Sequence, residues 1–498
     1  MTTGATAEML DLLCELCPVQ LRQAGRACTP VLPAGSCRCE RRGSAIAFHL
    51  LGWPAPLPVC GDTPAGCCSF PVRGAAGMMD LVFLPDQPSD APGVSGPRRL
   101  RAYYDQRLAW LLGRRRLEGL ALDSLSSRPD PFRRYPGGFC RLRFHQGARY
   151  LAGLALYPFQ GTDQAAAFLT AALGWFDFCR STRRHFARTV VLLVHSELHL
   201  PLLGRLELLD GQRVQPLLCC YDLEQDTVAV VDPAALARET RLPVTFEFSA
   251  ARPLYENSLA RALVARYPAD LRLEKTPHAF DQITCRGLPL VQIAGPREED
   301  LRVGWQRPFR PWPELGSEGV RALAEEVLRI RREPSPRPRH PAFRSFSERW
   351  LEHQVLENLP RLEPGLSPSW TYRQVPTYRG TGRSIMDVLS LDAGRRLAVI
   401  EIKAAESETL LFQALDYWER VWDGLQSDAF YRCGYFQGVR LDRRPPDLYL
   451  VTPLFRCHRD QHLLASYLAP RLRIVLVEVN LGWRQRFRVI RRSLLGAP

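Results

Sequence analysis

Apolar and polar positions in the C-terminal third of the chain follow two alternating periods. Over residues 347–359, Trp350, Leu351, Val355 and Leu359 recur at the spacing of one helix face. Residues 385–391 and 397–403 are instead short apolar, β-branched runs separated by Asp392-Ala393-Gly394, the pattern of two strands joined by a turn. The helical period returns over 409–422 and 458–468, with strands at 448–452 and 472–479. Helix, hairpin, helix, strand predicts a compact α/β sheet domain of about 150 residues.

Upstream the pattern is mixed. Residues 165–178 read as a helix, 189–194 and 227–231 as strands, and 206–218 as strand–Asp-Gly–strand. Ser317 caps a helix running to about 332, followed by an extended Pro/Arg hinge over 333–341. The expected organisation is a cysteine-rich region (1–84), a linker (85–100), an unassigned α/β or α+β domain (101–312), a helix and hinge (313–342), and the C-terminal domain (343–498).

Composition narrows the class. A chain of 498 residues exceeds one core, and its 46% hydrophobic and 24% charged content is that of a folded, water-soluble protein. The start Met-Thr-Thr-Gly-Ala is no signal peptide and no apolar run reaches the length of a membrane span, so the expected location is cytoplasmic. A net charge of +14 suits an anionic partner, with nucleic acid the usual one.

Only Lys275 and Lys403 among the 66 basic residues are lysines. That bias, with abundant Ala, Pro and Gly, reads as coding in a GC-rich, bacterial genome. Where arginine serves every plain positive charge, a retained lysine marks a place that needs a compact, deprotonatable ammonium. Eight of the fifteen cysteines lie in 1–84, and without an export signal a disulfide framework is not expected. Cys14-x-x-Cys17 with Cys37-x-Cys39 is a candidate structural Zn²⁺ site, against plain buried cysteines.

The candidate chemistry lies in the hairpin. Strand alternation puts Glu401 and Lys403 on one face, and pairing about the turn brings Asp387 opposite Glu401. Two close carboxylates repel and are costly to bury unless a cation neutralises them. Hard oxygen ligands suit Mg²⁺, which keeps waters and accepts phosphate oxygens; Lys403 would orient a water or stabilise phosphorane charge.

Asp-x13-Glu-x-Lys on a β-hairpin resembles the core of the PD-(D/E)XK nuclease superfamily. The run from Gly382 through Asp387-Val388, then Asp392 and Gly394, then Glu401-Ile402-Lys403, looks like its RecB/NucS-like branch. The resemblance covers about residues 343–490. It implies a restriction-endonuclease-like α-β-β-β-α-β core, Mg²⁺ as cofactor with Mn²⁺ able to substitute, and DNA as partner. It also implies a further metal ligand on the preceding helix, where Glu348 matches and Glu352, one turn on, is the alternative. Gln413-Ala-Leu-Asp-Tyr417 matches the branch's Gln-x-x-x-Tyr, which implies a catalytic role for Gln413 and a nucleic-acid contact for Tyr417. The proline that often precedes the first Asp is replaced by Met386.

The implied metal ligands are thus Glu348, Asp387 and Glu401, and the implied catalytic residues Asp387, Glu401, Lys403 and Gln413. Arg383, Arg484 and Arg486 are candidate phosphate contacts, as are Arg329, Arg331, Arg332, Arg337 and Arg339 along the hinge, against the alternative of a solvated arginine face. His195-Ser-Glu-Leu-His199 lacks metalloprotease spacing and reads as structural; His458 and His462 read as surface residues. The expected function is a metal-dependent DNA endonuclease in bacterial DNA repair or defence against foreign DNA. The N-terminal region would supply targeting, a partner surface or a homodimer contact. The rivals are a catalytically silent DNA- or protein-binding module with the same fold, and a zinc-dependent nucleic-acid-binding protein.

Overall fold

The computed structural model describes, before Gly96, only Cys14 and seven strand segments between residues 19 and 83. From Gly96 it describes all but residues 116, 118, 129–137, 158–159, 161–163, 183–184, 196–199, 224, 241, 248–253, 277–279, 307, 380–381 and 497–498. The protein is mixed α/β and divides into two compact units, Met1–Thr240 and Arg241–Pro498. Among the described residues no helix is long and apolar enough to cross a membrane.

The first unit contains a six-stranded mixed sheet in which Arg149–Leu156, Phe186–His195 and Gln215–Asp222 run parallel. Residues 165–178 lie in the helix Ala165–Thr182, as expected. The strand–Asp-Gly–strand reading of 206–218 does not hold: Leu206 ends the helix Leu200–Leu206, and only Gln215–Asp222 is a strand. Asp210 makes a turn instead, its carbonyl accepting from the Arg213 and Val214 amides and its side chain from Gln212. The strand beyond then pairs parallel to its neighbour, which no tight hairpin allows. The expected linker ends in a helix, since Gly96–Arg114 is helical; residues 85–95 lie outside the described residues. Cys14 and Cys37 belong to the same apolar cluster as Leu142 and Leu193, so the described cysteine-rich strands share the core of the sheet that follows.

In the second unit the strand β1 (Val244–Phe246) precedes helix α1 (Ser258–Arg266). An antiparallel meander follows, with β2 (Leu271–Lys275), β3 (Asp281–Cys285), β4 (Leu288–Ile293), β5 (Leu301–Val303) and β6 (Arg310–Pro311). Helix α2 (Trp312–Ile330) is broken at Gly316 (φ 63°), so its regular part starts at Ser317 as the capping pattern predicts. Its inward face of Val320, Ala324, Val327 and Ile330 covers the meander.

Helix α3 (Ser347–Glu357), strands β7 (Tyr372–Arg379), β8 (Gly382–Leu391) and β9 (Leu397–Ile402), helix α4 (Leu410–Gln426) and strand β10 (Asp447–Pro453) then give the α-β-β-β-α-β order. Strand β7, which the residue pattern left without a range, is the first of the three. Helix α5 (Asp460–Ala465) and strands β11 (Ile474–Val479) and β12 (Val489–Leu495) complete a seven-stranded sheet ordered β1-β7-β8-β9-β10-β11-β12. Trp350, Leu351 and Val355 of α3 are fully buried against it.

The division into units falls at residue 240, not at the proline-rich 333–341 segment, for a physical reason. Arg331, fully buried, donates to the carbonyls of Ala342, Ser345 and Arg286 and stacks on Trp350 at 4.3 Å. It welds α2, the meander and α3 together and is not available to a phosphate. The Arg286-Gly287 turn of the meander has positive φ at both residues, and a Cβ on Gly287 would overlap the backbone carbonyl of Arg349 in α3. Gly287→Ala should therefore lower stability by about 1–3 kcal/mol through strain and overpacking, read as a lower urea midpoint. An unchanged midpoint would show that α3 and the meander are not held this closely.

Candidate active site

The register of β8 on β9 pairs Val388 with Ile400 and Leu389 with Val399, which makes Asp387 and Glu401 the next rung. That rung is replaced. The Ile402 amide donates to Asp387 Oδ2 (3.0 Å), while β9 stays paired with β10 through Ile402–Val451 and the Lys403 amide to Val451 O (3.0 Å). The strands part here and their side chains line the opening. Lys403 Nζ lies 3.5 Å from Glu401 Oε1 and 3.5 Å from Glu348 Oε2. The hairpin, α3 and the end of β9 thus bring Glu348, Asp387, Glu401 and Lys403 together.

Burial dominates the electrostatics. Asp387 is pushed up to about 6 by desolvation and by the charge of Glu352, against the Ile402 N–H and Lys403. Glu401, 1% exposed, is raised well above the usual carboxylate range by burial and by Asp387. At Lys403 burial works to lower the pKa, yet Glu401, Glu348 and Asp387 outweigh it and raise it. The lysine is a fixed cation at neutral pH, and the deprotonatable ammonium inferred from lysine's rarity is not what its surroundings favour. On α4, Tyr417 is buried and its hydroxyl is raised by desolvation and by Glu401, with Asp387 adding to it, so it lies near the acidic pair. Gln413 is one turn earlier on the same helix.

The donor set fits a hard divalent cation. Glu401 Oε2 is buried with no hydrogen-bond partner among the described residues, which is costly for a carboxylate unless a cation meets it. Among the described residues no three His, Cys, Asp or Glu side chains form a ready-made cage. Two carboxylates with open positions match Mg²⁺, which retains water, better than an all-protein cage does. Glu348 borders this pair through Lys403, its side chain 51% exposed.

Glu352 does different work. It is 1% exposed and takes donors from Arg349 (3.3 Å), Arg373 (2.9 Å) and Gln374 (2.7 Å), so its oxygens are already engaged. Gln374 was not foreseen. It adopts φ 48° within β7, and its Nε2 donates to both Glu352 Oε2 and Asp387 Oδ1 (3.3 Å). An uncharged amide thereby separates two acids. Arg373 also pairs with Glu274 of β2, which accepts from Thr284 (2.8 Å). Nothing in local spacing signals these partners, since Arg373 and Glu274 are 99 positions apart.

The remaining candidates are scattered. Arg383 is exposed beside the Tyr378 ring at 5.9 Å, and Arg486 is exposed. Arg484 is half-buried, stacked on Trp483, Phe343 and Trp350. His195 is buried at the end of its strand, and His199 lies outside the described residues. His458 is half-buried beside Glu406 and Glu408 at 3.8–3.9 Å, a partly acidic setting rather than an open surface. Of the candidate zinc ligands, Cys14 and Cys37 are buried and Cys39 partly so; Cys17 lies outside the described residues.

No family model and no curated protein matches the chain. Among solved structures, Can2 from Sulfobacillus thermosulfidooxidans in complex with cyclic tetra-adenylate is weakly similar. The likeness covers 59% of this chain and 72% of that one, at 11% identity and a TM-score of 0.14. A likeness that weak carries no weight for fold or function, which rest on the geometry above.

Two outcomes follow. The Asp387 carboxyl titrates at about 6 when folded against 3.8 in an ordinary setting, so the metal-free fold binds this proton more tightly than the unfolded chain. Its contribution to stability is fully present below 3.8 and is lost as pH rises through about 6. Asp387→Asn should therefore raise the Tm of the metal-free protein at about pH 7.5, and much less at about pH 4; an equal gain at both would refute the assignment. Gln374→Ala should push the Asp387 carboxyl up further, read by carboxyl ¹³C shifts across a pH titration. An unchanged titration would mean that the amide screens nothing.

Proposed function

We propose that the second unit is a divalent-metal-dependent nuclease domain that hydrolyses phosphodiester bonds in DNA. The observation that carries this reading is the buried, unpartnered Glu401 Oε2 beside Asp387 at the parting of β8 and β9, with a fixed ammonium 3.5 Å from Glu401. The resemblance of Asp387, Glu401 and Lys403 to the PD-(D/E)XK pattern supports it.

Asp387 and Glu401, with Glu348 at the rim, would hold Mg²⁺ or Mn²⁺. Such a cation supplies Lewis acidity and acidifies water at the scissile phosphodiester. Lys403, kept protonated by its three acidic neighbours, donates to the attacking water or to the developing charge on the non-bridging oxygens. Gln413 positions that water or a phosphate, while Arg349, Arg373 and Gln374 hold Glu352 away from the reacting atoms. Water adds at phosphorus as the bond to the leaving oxygen breaks; of the two protons of that water, one ends on the leaving oxygen and the other is released to solvent. The first unit would supply targeting or partner contacts. Bacterial DNA repair or defence against foreign DNA is the setting the resemblance suggests.

A cleavage assay on plasmid and single-stranded DNA with Mg²⁺ or Mn²⁺ tests this. Asp387→Ala and Lys403→Ala should each reduce cleavage by about a hundredfold or more, the usual scale for removing a group that stabilises developing charge. Cleavage that survives either substitution would overturn the mechanism. A native protein that binds DNA without cutting it would favour a silent binding module.

A further inference from the structure

On the face of α3 turned away from Glu348 lies a cleft of about 450 Å³, a volume within the range of small-ligand sites. Its walls are the second half of α3, the chain just after α2, the Arg286 turn and the turn at 484–485. Apart from Ala269, every lining side chain is polar or charged. Apolar packing therefore cannot close it, and it suits a strongly polar ligand.

Its lining holds three arginines and three acids, and one of those acids is spent on an arginine outside it. Asp270 is held by Arg286 (2.6 and 3.0 Å), and Glu357 is ion-paired with Arg272 outside the lining. Glu333 is the remaining acid, and its charge acts on Arg484. Arg332 is exposed on the rim, with no carboxylate in ion-pair reach among the described residues. Behind the wall stands Arg331, whose donors go to carbonyls rather than to an acid. His353 is held down to about 3 and Arg331 to about 9, first of all by burial. Arg272, Arg373, Arg286 and Arg331 add to the shift at His353, and Arg484 and Arg286 add to that at Arg331 against Cys285. Only this arginine contribution, not the burial, favours an anion. Beside it, Gln354 and Gln485 offer amides that both donate and accept, while Asn358 Nδ2 already donates to the Gln354 carbonyl (2.9 Å) and leaves its second N–H and its oxygen for a ligand.

We propose that this cleft is a nucleotide-phosphate site. Arg332 and Arg484 bind the phosphate, and the amides of Gln354 and Asn358 bind the sugar or base edge. The nucleotide is either free or one unit of a nucleic-acid strand. Arg484 connects the cleft to the acidic site, since its Nη2 donates to Ser347 Oγ (3.4 Å), one residue before Glu348. The site does not depend on the nuclease reading.

The test uses the full-length protein in EDTA, so that no cleavage intervenes, with AMP by calorimetry and a short 5′-phosphorylated DNA strand by fluorescence anisotropy. Arg332→Glu and Gln354→Glu should each weaken AMP binding about tenfold or more, the scale of a lost charged hydrogen bond. Arg302→Glu, exposed on β5 and outside the cleft, should leave AMP binding unchanged. Loss of AMP binding with strand binding retained identifies a free nucleotide as the occupant. Loss of both identifies one unit of a strand. Binding of both probes unaffected by Arg332→Glu and Gln354→Glu, or no binding of either to the native protein, would overturn the proposal. Asp387→Ala should not alter AMP binding, so failure of the nuclease reading would show separately.

Discussion

Two carboxylates on facing strands where β8 leaves β9, Glu401 buried and Asp387 half-buried, set the terms for their surroundings. Neither Asp387 nor Glu401 is favoured there as an isolated anion: desolvation raises both, Glu352 adds to the shift at Asp387, and Asp387 adds to the shift at Glu401. Lys403 compensates part of that charge at 3.5 Å, and the Ile402 amide compensates another part. What remains is the unpartnered oxygen of Glu401, a deficit that a divalent cation would meet. A site that is costly without its ligand is a common mark of function, because the same repulsion drives ligand binding.

The residues packed around Asp387 extend this logic outward. Glu352 lies close enough to Asp387 to add to its repulsion, and the protein answers with two guanidiniums and one amide rather than by moving the acid away. Gln374 holds a left-handed backbone conformation that only a surrounding network can maintain. That network runs through Arg373 to Glu274, so the antiparallel meander forms part of the frame of the acidic site. Buried Arg331 adds a second brace between the meander, α2 and α3. The phosphate-binding cleft proposed on the far face of α3 arises from the same crowding of arginines around one short helix.

Much of the second unit was legible in its residue pattern. The helical period at Trp350, Leu351 and Val355, the hairpin around Asp392-Ala393-Gly394 and the alternation of Glu401 and Lys403 all recur in the structure. Strand β7 was harder to place: Tyr372–Arg379 carries arginine, glutamine and proline where a strand pattern shows apolar residues, because its polar side chains serve the ionic network. The stretch at 206–218 misled for a different reason. Asp-Gly signals a turn, but not whether the next strand comes back alongside the last or pairs parallel elsewhere.

The sequence by itself determined the order α3, β8, β9, α4, β10 and the hairpin register that sets Asp387 opposite Glu401. Both follow from side-chain periodicity and turn position, which are local properties of the chain. Only the tertiary structure decided which helix acid borders the lysine, which one is locked away by Arg373 and Gln374, and where the compact unit begins. Those outcomes depend on desolvation and on ionic partners far apart in sequence, and no spacing rule encodes them. Lys403 shows the difference most plainly. Its rarity marked it out, but the three carboxylates that gather around it in the fold decide that it stays charged.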